Sequence, residues 1–293
     1  LAARQAAAWD PLLDWLAVRF LDEGWSIKQM HRLIMTSDAY CRSSRHPEMA
    51  RVLERDSEQI SYASFQLRRL SAEELRDSML SISGELNLQA GGIPMRPDMN
   101  LEVALQPRQI MGTYAPAYQP SPLPSERHRR SIYALVIRGL RDPLMEVFNQ
   151  PPADTSCERR EASTITPQVF ALFNSSGSYD RALAVADRLL AETDSRPDAI
   201  GRAFQLAYSR EPSADETADC LKHWRNMEAR HTDLRFAPAE YPTKVVREAV
   251  EEMSGQRFSF TEPLEVYENY VPDLKPSDAD PTTRGLAELC LVL

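Results

Sequence analysis

The chain contains no apolar run of about 18 residues, so no segment reads as a membrane span. It has no surplus of positive charge. The 34 Lys and Arg face 43 Asp and Glu, a net charge of −9. That argues against a protein that grips nucleic acid through its overall field, because phosphate neutralisation needs an excess of cations. Cysteine is scarce and dispersed: Cys41, Cys157, Cys220 and Cys290, with no CxxC and no CxxCH. This excludes a zinc ribbon and a disulfide-dense mini-domain, and this chain cannot itself attach a c-type haem. One or two disulfides remain compatible with the spacing. No signal peptide, internal repeat, low-complexity tract or catalytic motif of known mechanism is present. The sequence opens on Leu1, not Met, and closes on an apolar helical run (Leu286, Leu289, Cys290, Leu293) without a C-cap. It reads as a piece of a longer polypeptide whose continuation, or a neighbouring domain, should cover that run.

What is present is ordinary for a globular protein: 43% hydrophobic and 26% charged residues over 293 positions, enough for one extended domain or two lobes. Helix signals dominate. Asp10-Pro11 reads as a cap and first position, followed by Leu12, Leu13, Leu16 and Phe20 up to Gly24. Ser26 and Gln29 form a capping box with Trp25 and Met30 as its staple, and Ser71 and Glu74 repeat the device. Gly91-Gly92 and seven prolines between Pro94 and Pro124 mark a long irregular connection. Ser131–Ile137 is the best strand candidate. Further helices are expected after Pro167, through Leu183–Leu190, through Ile200–Ala207, from the Ser213/Glu216 box, over Val246–Met253, and from Asp280-Pro281. The expectation is a mainly α, multi-helix domain with a small central β element and a long Pro-rich loop. Its parts are 1–90, 91–177 and 178–293, within one continuous domain.

The segment Cys157–Asn174 concentrates a thiol, paired arginines, threonines, a helix-opening proline, a glutamine and an asparagine. Cys157 as a nucleophile needs a base within reach, and Arg159 and Arg160 could lower its pKa; the alternative is a structural thiol. Cys220 and His223 lie one helical turn apart near Asp219 and His231, but Cys220 also fits the apolar stripe with Trp224 and Met227, and no metal site is assigned. Glu73, Glu74 and Asp77 share one helix, so they cannot face one another across a sugar cleft. Arg69, Arg76, Arg130, Arg160, Gln168 and Asn174 could together hold a sulfated or carboxylated ligand, aided by the helix start at Pro167. Arg76 and Asp77 could instead pair with the double-arginine segments in a structural polar network.

Several blocks carry a family resemblance: Leu12-Leu-Asp-Trp-Leu-Ala-Val-Arg-Phe20, Gly24-Trp-Ser-Ile27, His31-Arg-Leu-Ile-Met-Thr-Ser37, Arg68-Arg-Leu-Ser-Ala-Glu-Glu-Leu-Arg-Asp77 and Arg129-Arg-Ser-Ile-Tyr133. Cys157, Arg160, Thr164, Pro167-Gln168, Asn174-Ser175, Ala207–Ser213 and Tyr270-Val-Pro-Asp-Leu-Lys275 continue the pattern. The chain resembles the planctomycete-specific PSD-type domain of unknown function (domain of unknown function 1553), with Glu158 and Val169 where the family typically has Gly and Ala. The resemblance implies the C-terminal domain of an exported, periplasmic or cell-surface protein that carries a cytochrome-c-like domain upstream. Haem c would then lie elsewhere in the full-length protein, with no cofactor in this part. The implied partners are the other domains of the polypeptide, and a polysaccharide. Tyr133, Asp77 and the six donors above fall in or beside the resembling blocks and, with Cys157, form the candidate ligand site. The alternative is an enzyme, such as a carbohydrate-active hydrolase, with its site in Cys157–Asn174.

Overall fold

Ala2-Ala-Arg-Gln-Ala-Ala-Ala8 is a strong helix-forming stretch, and α1 runs through it as Ala2–Asp22. The helix therefore does not start at Asp10-Pro11; Pro11 lies inside it, where its missing N–H leaves one intrahelical bond unmade. The computed structural model describes residues 2–110, 113–160 and 162–293. The chain divides into two compact units, Leu1–Arg69 and Leu70–Leu293. In the first, Gly24 at φ +67° closes α1, and Trp25 packs edge-on against Phe20 with ring centroids 5.3 Å apart. The Ser26 hydroxyl caps α2 (Ile27–Met35) by accepting from Gln29 N–H. α3 (Met49–Arg55) follows. Ser64 is the only buried residue among the unit's described side chains, while Leu12, Trp15, Val18, Ile27 and Met35 are exposed.

The second unit begins with α4 (Ala72–Ser83), whose capping box is complete. Ser71 Oγ accepts from Glu74 N–H at 3.4 Å, and the Glu74 carboxylate accepts from Ser71 N–H at 2.9 Å. Ser71→Ala removes one half of it and is expected to cost about 1 kcal/mol, read as a lower urea midpoint with an unchanged m-value. The proline-rich stretch holds only short elements: α5 (Leu101–Ala104), a hairpin of β1 (Arg108–Ile110) and β2 (Thr113–Ala115), and α6 (Pro124–Arg127). α7 (Pro143–Val147) and α8 (Thr166–Asn174) lead to the core helices α9 (Ser176–Glu192), α10 (Arg196–Tyr208) and α11 (Ala214–Thr232). β3 (Lys244–Val250) and β4 (Arg257–Pro263) form a second hairpin, and α12 (Pro281–Val292) closes the unit. Leu183, Ala186 and Leu189 of α9 meet Ile200 and Phe204 of α10, Trp224 of α11 and Leu286 of α12 in the main core.

The protein is mainly α with small β elements, but those elements lie elsewhere than the sequence suggests. Ser131–Tyr133 is a 3₁₀ turn, and Ile132 and Val136 are exposed. Only isolated bridges, Met95 with Ala134 and Ile137 with Leu140, mark this stretch as extended. Among the described residues no neighbouring strand supplies a ladder along it. Val246–Met253 is not a helix: Lys244–Val250 pairs antiparallel with Arg257–Pro263. The 3.6-residue reading of its valines overlooked Arg247, which points inward with Ala249 on the two-residue period. The buried Arg247 guanidinium donates to Ala115 O at 2.9 Å and Gln106 O at 3.1 Å and pairs with Glu262 on β4. An inward arginine is compatible with burial here because carbonyls and a carboxylate meet it.

Candidate functional site

Arg76 and Asp77, adjacent on α4, both act on the segment 127–131. Arg76 donates to Arg127 O at 2.6 Å, Arg129 O at 2.9 Å and Ser131 Oγ at 3.2 Å. Asp77 Oδ1 accepts from Ser131 N–H at 2.8 Å and from its hydroxyl at 2.7 Å. Burial lowers the Arg76 pKa, with the Asp77 and Asp142 charges opposing. Tyr133 lies under the Arg129 guanidinium at 4.4 Å, and Arg129 reaches the carbonyls of Ile93 at 2.8 Å and Gln89 at 3.2 Å, and that of Gly91. These groups form one connected structure that fixes the end of the irregular connection to α4.

Behind it lies a buried ionic cluster. Arg127 pairs with Asp273 at 2.7 Å and donates to Val271 O at 2.8 Å and Pro122 O at 2.9 Å. Arg181 of α9 bridges Asp273 and Glu85. His128 Nε2 lies 3.2 Å from Asp273 Oδ2, and its Nδ1 lies 3.7 Å from Glu85. Lys275 pairs with Asp180 at 2.6 Å. Tyr270 lies beneath Arg127 at 4.4 Å and donates to Asp98 Oδ2 at 2.8 Å. Burial alone would raise the Asp273 pKa. The His128 hydrogen bond and the charges of Arg181, His128 and Arg127 outweigh it and hold the carboxyl well below its ordinary value.

This cluster forms one wall of a cavity of about 110 Å³, lined also by Arg76, Asp98, Asp142 and Gly177 at the start of α9. A smaller space of about 50 Å³ adjoins it, sharing Arg76 and Asp142 and adding Tyr118, Ser131 and Gln150. Asp142 caps α7 through Oδ1, which accepts from Leu144 N–H at 2.8 Å and Met145 N–H at 3.3 Å. Its Oδ2 takes no hydrogen bond from any described residue. Burial raises the Asp142 pKa, against those backbone bonds and the Arg76 charge. Arg127 Nε–H is buried without a partner. A larger groove of about 340 Å³ is apolar, and its one charged lining residue, Arg181, is already held by Glu85 and Asp273.

The residues expected from the central segment are placed differently. Arg69 belongs to the first unit. Arg130 is exposed, while its neighbours Arg127, His128 and Arg129 are buried. Arg160 makes a two-pronged ion pair with Glu73, at 2.6 and 3.0 Å. Gln168 is buried, donating to Val147 O at 3.0 Å and Ser163 O at 3.2 Å and accepting from Ile165 N–H at 3.4 Å. Asn174 ends α8 and is exposed. Cys157 is an exposed free thiol whose Sγ lies 3.3 Å from Arg159 O, with no histidine or carboxylate among the described residues bonded to it. The other three cysteines are free as well. Cys157→Ala is expected to change stability by less than about 0.5 kcal/mol in urea denaturation, as fits a surface thiol with one weak bond.

A family model described as a protein of unknown function (DUF1553) matches residues 4–224. The chain belongs to that family. No curated protein and no solved structure matches it. The family match takes in Arg76, Asp77, Arg127, His128, Asp142 and Arg181, and ends before the Tyr270–Lys275 block. That block nevertheless supplies Tyr270, Asp273 and Lys275 to the cluster. The sequence assigns this block no role and does not point to Arg127, Asp142 or Arg181. One signal was available: an aspartate and a lysine within an aromatic, proline-bearing stretch call for buried counter-charges, and the Arg127–Arg130 run with its histidine is the densest basic segment of the chain.

Proposed function

We propose that this chain is an accessory, ligand-binding domain of an exported, cytochrome-c-linked multidomain protein, and that it serves polysaccharide use by holding a polar ligand in the Asp142 cavity. The observation that carries this reading is the convergence of charged groups from six separate segments on one cavity, where Asp142 Oδ2 takes no hydrogen bond from any described residue. A carboxylate oxygen left open beside such a cavity suits the donor of a polar ligand. The exported, cytochrome-linked setting is supported by the sequence blocks that resemble the planctomycete-specific domain. Among the described residues no helix is long and apolar enough to cross a membrane. An enzyme centred on Cys157–Asn174 has less support, because Arg160 and Gln168 are engaged in bonds that hold the loop and no described residue is bonded to Cys157 as a base.

Isothermal titration of the chain with soluble polysaccharides, neutral and anionic, tests the proposal. Saturable binding to either class, weakened in Asp142→Asn, is the expected result. Absence of binding to both, or binding indifferent to Asp142→Asn, would overturn it.

A further inference from the structure

We infer that α1 is a self-association surface, through which two copies of this chain pair antiparallel about a two-fold axis lying between residues 16 and 17. The first unit, Leu1–Arg69, buries little within itself: Ser64 is its only buried residue among the described side chains. Units of this size commonly gain the burial they lack by oligomerisation. On α1, Leu12, Trp15, Val18 and Leu21 recur at every third position, and each keeps 44–55% of its surface in water. Leu16 and Phe20 turn to the other side of the helix, where Phe20 packs on Trp25. An apolar row left outward on a helix that already has an inner face calls for a second partner.

The order of residues along α1 says what that partner is. Under a two-fold axis, if one residue meets a second across the interface, the second meets the first. In an antiparallel pair centred between 16 and 17, Trp15 faces Val18 of the second copy, Leu12 faces Leu21, and Asp14 faces Arg19. Each contact is then made twice. Asp14, Trp15, Val18 and Arg19 lie within an arc of about 140° on the helix, with Leu12 and Leu21 at its edges. The apolar row and its two flanking charges thus read the same from either end. A parallel pair would instead set Asp14 against Asp14 and Arg19 against Arg19. Arg19 already leans along the row, its guanidinium 5.9 Å from the Trp15 ring centroid. Its 2.8 Å pair with Glu23 is exposed and leaves other N–H donors for a carboxylate. Asp22, on the same arc, lies about 8 Å along the axis from the centre, where crossing helices diverge and its carboxylate stays in water. The row and its flanks offer on the order of a few hundred Å² per copy. That is less than the roughly 800 Å² per partner of a standard interface, so the pair is reversible.

Sedimentation equilibrium of the full chain over micromolar concentrations tests the pairing, and a monomer–dimer equilibrium is the expected result. Asp14→Arg and Arg19→Asp each set like charges against one another across the axis, and each is expected to weaken the dimer about tenfold. An equimolar mixture of the two variants is expected to recover the affinity of the parent as a heterodimer. One variant then carries two arginines at these positions and the other two aspartates. The double variant, with its charges exchanged, is expected to recover as a homodimer. Both positions are exposed, and recovery on mixing shows that neither variant lost association by failing to fold. A parent that stays monomeric throughout would overturn the inference and leave the α1 row to another part of the polypeptide. A dimer indifferent to these charges, or variants that mixing does not restore, would overturn it as well.

Discussion

Asp273→Ala is expected to destabilise the second unit by about 3–5 kcal/mol, the usual cost of removing one partner from a buried ion pair. Asp273 is the shared counter-ion of Arg127 and Arg181 and faces His128 as well. Arg127 is 1% exposed and Arg181 8%, so neither can turn to water when the carboxylate is lost. Asp273→Asn keeps the shape and removes the charge, and should fall between the variant and the parent. The pH dependence follows from the lowered pKa of Asp273. Its folded-state value lies below the unfolded one, so its contribution is complete above the unfolded value, near 3.9. The contribution disappears as pH falls through the folded value. Urea denaturation as a function of pH should therefore show a steeper acid loss in the parent than in Asp273→Asn. Parallel curves would mean that the cluster does not depend on the Asp273 charge.

Gly285→Ala should also destabilise the protein, although alanine is the better helix former. A Cβ at Gly285 in α12 would lie 2.6 Å from Glu228 N, 2.9 Å from Glu228 Cα and 3.0 Å from Glu228 Cβ. The first two atoms are backbone of α11, so no rotamer change relieves them. The two helices must separate, which loosens the packing of Trp224 and Leu286 in the main core. Overpacking of this kind costs about 1–3 kcal/mol and sometimes more, which outweighs the roughly 1 kcal/mol of helix propensity gained. A net loss of about 1 kcal/mol is expected, and a larger one for Gly285→Val. Gly201→Ala is the control. Its Cβ would meet only Glu211 Oε2, at 3.6 Å, so the gain of about 0.5–1 kcal/mol from relieving a mid-helix glycine should appear. Equal signs for the two substitutions in urea melts would show that the close approach of α11 and α12 is not maintained.

Much of the α architecture was legible because its signals are local. Ser71 and Glu74, Ser213 and Glu216, and Asp280 with Pro281 are caps formed within a few residues of one another, and each occurs where the pattern places it. The apolar stripes of α9 and α10 are likewise set by the period of the helix. The β elements were misplaced for a matching reason. Ser131–Ile137 has strand-forming residues but, among the described residues, meets only isolated bridges at Ala134 and Ile137, and Lys244–Val250 becomes a strand through pairing with Arg257–Pro263 and through the reception of Arg247 by Ala115, Gln106 and Glu262. Propensity cannot register a neighbour that lies elsewhere in the chain.

The sequence by itself determined a helix-rich protein of negative net charge and its membership of a family of unknown function. It also offered, as one of two readings, a structural pairing of Arg76 and Asp77 with the double-arginine segments. Only the tertiary structure decided which arginines are buried, which carboxylates neutralise them, and where a cavity remains. Arg127 meets Asp273 across 146 positions, and Arg181 meets Glu85 across 96. A charge pattern along the chain records how many cations exist; the free energy of burying one depends on what the fold sets within a few ångströms of it.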